Sequence, residues 1–325
     1  MPKIDISEAY VQTISWADDK IIDWSTGGRI FLLDGKRDDL ELYHYRYKCD
    51  AAITSKDGTY SLIYAKLGTK ALLLKNGNIL REVNRSYYRS DVYEYPAAFF
   101  TTTEGKTYLI HCPIAYNRID FEDVETGEIV TNESRNDLSD IFHSRFEISP
   151  DNKFLLSKGW IWSPIDTICV FDIEACLKTP SLLNHATITP DWTGEICSAS
   201  FADNEYIVLC TSNEEPLDDD EPVPAGHIAL WNFKTGKFSK AVKPPVTIGN
   251  LFAVNIKYCW DLYEYPKLIN IETGEIEQAY TDIDSGKQAS SIIWHLKNLP
   301  LVAHNIEIGK LAISNGKDIV VLSID

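Results

Sequence analysis

Apolar and polar residues alternate along the chain in short runs of four to six, and clusters of turn-forming residues separate the runs. AAITSKDGTYSLIYA (51–65) sets two such runs on either side of Lys-Asp-Gly, and FEISPDNKFLLSKG (146–159) repeats the plan around Pro-Asp-Asn. AAFFTTTEGKTYLIHC (97–112) and SASFADNEYIVLCTS (198–212) follow it. A second kind of turn recurs almost letter for letter as VETGEIV (124–130) and IETGEIE (271–277), and more loosely as FKTGKFS (233–239). Each copy follows a strand-like run and precedes another, so the glycine marks a tight reversal between two strands. Degenerate versions are expected around Gly35, Gly77 and Cys176, in RIFLLDGKRDDLELYHY, KALLLKNGNILREV and TICVFDIEACLKT. The turn centres then lie at 35, 77, 127, 176, 236 and 274, at intervals of 42, 50, 49, 60 and 38 residues.

A period of that size is a repeat architecture, and no helical periodicity competes with it. Each unit of about 46 residues supplies four short strands, the pattern of a propeller blade. The expected fold is all-β: one domain over residues 1–325, a seven-bladed β-propeller of four-stranded antiparallel blades. The blades are expected to begin near Tyr10, Lys48, Val92, His143, Glu195, Val246 and Leu299. The last unit has only three strands of its own, in LVAHNIE, KLAISNG and DIVVLSI, and PKIDIS near the N-terminus is available as the fourth. Ile4 and Ile6 are therefore expected to pair with Ile319 to Ser323, residues 1–8 completing the last blade, closing the ring and removing a free strand edge.

The combination of SPDNKFLLSKG with ICVFDIE, together with HIALWNFKTGK and the C-terminal LVAHNIEIGKLAISNGKDIVVLSID, resembles the WD-repeat and related YVTN-type β-propeller superfamily. There a Ser-Pro-Asp-Gly-Lys type turn opens the second strand and a Trp-Asp pair followed by Thr-Gly-Lys closes the third. Trp231 and Asn232 stand where that pair would be, and the Gly-His pair of a blade's start is not evident in any unit. The resemblance implies the fold along the whole chain, without the His-Ser-Asp-Trp hydrogen-bond network of the strict family.

Charge narrows the partners. With 31 basic and 48 acidic residues the formal charge is 31 − 48 = −17, so the long-range field repels phosphate backbones and anionic lipid. No nucleic acid and no membrane are expected among the partners. The N-terminal MPKIDISEAY lacks the apolar core of a secretion signal, which makes the expected location cytoplasmic. The seven cysteines are scattered singly, several in apolar runs such as YIVLC, as expected of reduced and mostly buried thiols.

Catalytic signatures are sparse. The chain contains no GxSxG, no HExxH and no EF-hand loop. Gly286-Lys287 lacks the upstream glycine of a phosphate loop, and the seven histidines are dispersed over the blades. No catalytic residue, no metal ligand set and no cofactor is therefore assigned. The acidic run Glu214 to Glu221, with Asp218, Asp219 and Asp220, lengthens the fifth unit and is expected to be a solvated insertion or a contact for a basic partner.

Loops are more informative. In a propeller the second-to-third strand loops and the blade-to-blade connections share one face. Onto that face the sequence places Tyr87, Tyr88, Tyr93, Tyr95, Tyr116, Trp160, Trp162, Trp192, Tyr263 and Tyr265, along with the acidic insertion. Aromatic side chains on loops bring large apolar area with a polar handle, which is what binding surfaces accumulate. The expected function is a non-enzymatic protein-interaction module or scaffold that takes a protein partner of basic character through this aromatic and acidic face. The alternative is a metal-dependent hydrolase or lactonase-like ligand binder with several carboxylate, Asn or His ligands converging in the central channel.

Overall fold

The computed structural model describes residues 3–38, 45–191, 194–213 and 221–324. Why the chain keeps reversing is visible in its turns. In the first kind a serine hydroxyl does the work: Ser55 Oγ donates to Asp57 and accepts from the backbone of Tyr60 at 2.9 Å, with Gly58 at φ +75. Ser149 repeats this with Asp151 and Phe154, and Asn152 takes the left-handed position at φ +60. Lys-Asp-Gly and Pro-Asp-Asn are thus one device.

The Thr-Gly turns share a second device that begins before the visible motif. Four residues ahead of each glycine an Asp or Asn side chain accepts two backbone N–H groups: Asp123 from Glu125 and Thr126, Asn232 from Lys234 and Thr235, Asn270 from Glu272 and Thr273. The glycine N–H then bonds the carbonyl of that same Asp or Asn, with φ of +75, +76 and +77 at Gly127, Gly236 and Gly274. The repeated element is therefore Asp or Asn, two variable residues, Thr and Gly. Asn232 in the Trp231-Asn232 pair is a turn residue.

Seven antiparallel sheets result, and together they form a β-propeller. The first contains Ser15–Ala17, Lys20–Asp23, Arg29–Phe31 and Arg37–Asp38; the second Ala51–Thr54, Tyr60–Tyr64, Lys70–Lys75 and Asn78–Asn84. The third has three strands, Ala97–Thr101, Thr107–His111 and Asp120–Asp123, with its outer strand reduced to a single bridge from Glu122 to Ile129. In the fourth, Ile141–Phe142 and Glu147–Ile148 both pair with Phe154–Ile161, which pairs with Ile165–Asp172. The fifth and sixth sheets have four strands each, spanning Ile196–Phe201 to Lys237–Phe238 and Leu251–Ala253 to Ile276–Ala279. In the seventh, Leu301–Asn305, Lys310–Ser314 and Ile319–Leu322 are joined by Lys3–Ile6, with Ile4 opposite Val321 and Ile6 opposite Ile319, as the sequence predicts.

One expected turn is replaced. Around Cys176 the chain forms a six-residue helix, Ile173–Lys178, whose N-terminus is capped by Asp172 accepting from the Ala175 N–H at 2.9 Å. The segment IEACLK has no glycine to reverse on and consists mostly of good helix formers, so an N-cap aspartate starts a helix where other blades have a Thr-Gly turn.

The chain divides into two compact units, Met1–Val130 with Pro300–Asp325, and Thr131–Leu299. Within each, cores lie between successive sheets. In the first unit Leu62, Tyr64, Leu73, Tyr95, Leu109 and Val124 fill the space between the second and third sheets. Ile6, Ile14, Ile21, Phe31, Ala312 and Val321 do so between the seventh and the first. In the second unit Val208, Cys210, Ile228, Leu251, Cys259 and Ile269 join the fifth and sixth. All seven cysteines are free thiols and buried, with Cys197, Cys210 and Cys259 in the layer between the fifth and sixth sheets. Among the described residues no helix is long and apolar enough to cross a membrane.

Candidate interaction surface

In the first unit the connection from the second sheet to the third is organised by a buried cation. Arg85 donates from Nε to the Gly68 carbonyl at 2.7 Å and from one terminal nitrogen to the carbonyls of Lys66, Ser90 and Tyr93. Its guanidinium carbon lies 4.6 Å from the Tyr93 ring centre and 5.1 Å from that of Tyr95. Five donors in a fixed fork suit one residue to gather carbonyls from both sides of a loop. Tyr93 and Tyr95 are accordingly 0% and 1% exposed, and Tyr95 packs on Tyr64 at 5.2 Å. These two rings, expected on the loop surface, belong to the core beneath it. Burial pushes both phenols far above their ordinary titration range.

The same loop turns outward between those anchors. Ser90 and Val92 donate back to the carbonyls of Tyr87 and Arg89, and Arg89 takes φ +56. This reversal leaves Tyr87 83% and Tyr88 42% exposed. The Tyr88 ring meets Tyr116 of the next sheet's second-to-third strand loop at 5.2 Å, and Ile114 of that loop is 52% exposed. Tyr87, Tyr88, Ile114 and half-buried Tyr116 thus lie on two loops joined by a ring contact and by the Ser86 N–H bonded to the Cys112 carbonyl.

Beside this loop a small open cleft is lined by Asp50, Glu94, Lys66 and Tyr64 together with the apolar residues Ile14, Ala51, Ala52, Leu301 and Val302. Asp50 is held in place by its N–H bonded to the Tyr64 carbonyl, and one of its carboxylate oxygens accepts from the Lys66 backbone at 2.7 Å.

In the second unit the aromatic residues divide similarly. Trp160 is 2% exposed and stacks on Phe142 at 3.9 Å, while Trp162, partly exposed, stands at right angles to both. Trp160 was expected in a loop. It is instead inside an eight-residue strand, because Gly159 lets the opposing backbone come so near that a Cβ there would lie 2.0 Å from the Phe142 oxygen. Tyr263 and Tyr265 are half-buried, and their carbonyls accept from Lys267, whose Nζ is also paired with Asp261 at 2.8 Å. Burial raises the Asp261 titration, and the Lys267 ammonium opposes that rise. Trp192, Asp218, Asp219 and Asp220 lie outside the described residues.

A long connection, residues 280–299, returns across this unit's loop edge: the Ser291 N–H and hydroxyl both donate to Asp166 at the start of Ile165–Asp172. Asp166 is buried, and burial raises its titration above that of an ordinary aspartate. Trp294 on this connection is 64% exposed, a ring that the loop sorting by motif did not single out.

Sequence reasoning therefore identified Tyr87, Tyr88 and Trp162 as exposed aromatics but missed Ile114, Trp294 and the Asp50–Glu94 cleft. Among the described residues no three His, Cys, Asp or Glu side chains cluster as a metal site would require. Compared with known protein families and with curated proteins, the chain matches no family model and no curated sequence.

Proposed function

We propose that the protein is a non-enzymatic interaction module that captures a basic, amphipathic protein segment on the loop edge of its first unit. The observation that carries this reading is the grouping of Tyr87, Tyr88 and Ile114 as exposed apolar surface on two rigidly tied loops, next to half-buried Tyr116. Core packing does not require a Tyr ring at 83% exposure; rings of this kind are the anchors on which interfaces concentrate their energy. The net charge of −17 selects the sign of the partner.

The test is affinity purification from the native cell with the wild-type protein and a Y87A/Y88A variant, followed by calorimetry on the recovered partner. Both positions face solvent, so the variant should melt within about 1 °C of wild type. Loss of two anchor rings should weaken binding by at least about 30-fold, and binding should fall with added salt. Equal affinity for the two proteins would reject the surface; a partner that is acidic would reject the reading.

A further inference from the structure

The outermost strands of most sheets are short. Among the described residues they are Arg37–Asp38 in the first, Lys237–Phe238 in the fifth, Ile276–Ala279 in the sixth and Lys3–Ile6 in the seventh, while the third and fourth sheets end in single bridges. Short edges give another chain little to pair with. The second sheet is the exception: Asn78–Asn84 runs for seven residues, and among the described residues nothing pairs with its outer side. Its register slips at Leu80 and is regular from Arg81 to Asn84. The Arg85 N–H donates to the Thr69 carbonyl at 3.1 Å, so Arg85 and Val83 turn their backbone groups toward Lys70–Lys75, and Glu82 and Asn84 turn theirs outward. Neither of these two N–H groups donates to any described residue. The apolar side chains at the start of the strand are bare as well, Ile79 57% and Leu80 36% exposed.

We infer that the Asn78–Asn84 edge takes an extended segment of the partner as a fifth strand of the second sheet. The inference rests on the reading of the loop edge as an interaction surface and names the conformation in which the partner is bound. An outward row of donors and acceptors is matched by the backbone of another strand, whereas a helix keeps its own backbone bonded internally. The edge is continuous with the aromatic surface: Asn84 leads through Arg85 and Ser86 to Tyr87, so a segment leaving the strand meets the exposed rings. At about 3.3 Å per residue, the stretch from Ile79 to Asn84 takes about six residues of partner. Apolar residues of that segment would cover Ile79 and Leu80. Glu82, which accepts from the Tyr47 hydroxyl at 2.9 Å, is already balanced by Lys70. The sign of the segment is therefore set by the charge of −17 on the whole chain, which favours a basic strand. The same charge opposes a second copy as the occupant, since two such chains repel.

The probe is the hexapeptide acetyl-Lys-Val-Lys-Val-Lys-Val-amide, titrated into the full chain and followed by amide exchange in NMR. The same peptide N-methylated throughout, and its counterpart with Glu for Lys, are run in parallel. The basic peptide should slow exchange of the Glu82 and Asn84 amides at least about tenfold and leave those of Arg81 and Val83, already bonded within the sheet, unchanged. The N-methylated peptide keeps the side chains and the charge but should protect neither amide, a comparison that leaves the protein unaltered. The acidic peptide should bind more weakly than the basic one. E82P removes one outward N–H that E82A keeps, and should bind the peptide about fivefold more weakly than E82A. No protection at Glu82 and Asn84, or equal effects of the plain and N-methylated peptides, would overturn the assignment, and equal binding of the acidic peptide would overturn its sign. Protection of these amides that grows with protein concentration in the absence of peptide would identify a second copy as the occupant and overturn it too. Y87A/Y88A should leave the effect of the hexapeptide unchanged, because pairing along Ile79 to Asn84 stops short of that loop. Failure of the edge with an intact aromatic surface is thereby distinguishable from failure of the interaction reading itself.

Discussion

Replacing Arg85 by methionine separates the anchoring of the loop edge from the rings it displays. The guanidinium is 3% exposed and serves four backbone carbonyls. One of these, of Lys66, also accepts from the Tyr95 N–H at 3.0 Å and keeps a partner. The other three, of Gly68, Ser90 and Tyr93, lose the guanidinium as a donor. At about 1 kcal/mol each they cost about 3 kcal/mol. The lost contacts with the Tyr93 and Tyr95 rings add about 1 kcal/mol, and the relief of burying a cation offsets a similar amount. The net loss is about 3 kcal/mol. Taking about 2.1 cal/mol/K per residue for the unfolding entropy over 325 residues, each kcal/mol lowers Tm by about 1.5 °C, so R85M should melt about 4 to 5 °C lower. Hydrogen exchange adds the local readout. The amides of Ser90, Val92 and Tyr95 should lose protection, while those of the Tyr60–Tyr64 strand should keep it. R85K should fall between, since one ammonium cannot reach carbonyls on both sides of the loop. A Tm within 1 °C of wild type with unchanged exchange at those three amides would refute this account of how the loop is held.

K267M strands the buried Asp261 carboxylate and should cost about 3 to 5 kcal/mol by denaturant titration, whereas K267M/D261N should recover part of that loss. Deleting residues 1–8 bares the edge of the Ile319–Leu322 strand and removes Ile6 from the core; the shortened protein should melt lower and self-associate in sedimentation experiments. His143 is buried against Ser157 Oγ at 2.9 Å, and burial lowers its titration to about 3. Because the folded pKa lies below the unfolded value of 6.5, the unfolded chain takes up the proton first, so this stability is complete above pH 6.5 and is lost as pH falls toward 3. At pH 5 the loss from this one site is about 2 kcal/mol. H143Q should flatten stability against pH by about that amount between pH 7 and 5, and an unchanged slope would remove His143 from the account.

The turns made the fold legible because each reversal uses side chains adjacent in sequence. Ser55 with Asp57, and Asn270 with Thr273 and Gly274, form their hydrogen bonds within five residues, so a local pattern reports them and its period gives the blades. The surface was only half legible for the complementary reason. In SYYRSDVYEYP all four tyrosines read alike, and what divides Tyr87 and Tyr88 from Tyr93 and Tyr95 is the reach of Arg85 to Gly68, 17 positions back. Trp160 read as a loop residue because strand extension there depends on the approach of Phe142 to Gly159. The cleft depended on residues as distant as Asp50 and Val302 converging, which no spacing announces.

The two units solve the same problem at their loop edges in the same way. A connection long enough to present side chains carries several carbonyls that no strand can satisfy, and apolar packing cannot satisfy them either. In each case a buried cation gathers them: Arg85 in the first unit, and in the second Lys267 for Tyr263 and Tyr265. Both cations are withdrawn from the surface, Arg85 at 3% and Lys267 at 1% exposure. They also fix the loop backbones, so Tyr87 and Tyr88 are displayed from a frame that does not have to order on contact. Ordering a side chain and its loop costs about 0.5 to 1.5 kcal/mol per residue on association. A surface held from beneath by Arg85 avoids part of that cost, so the same substitution that loosens the loop should weaken a partner it never touches.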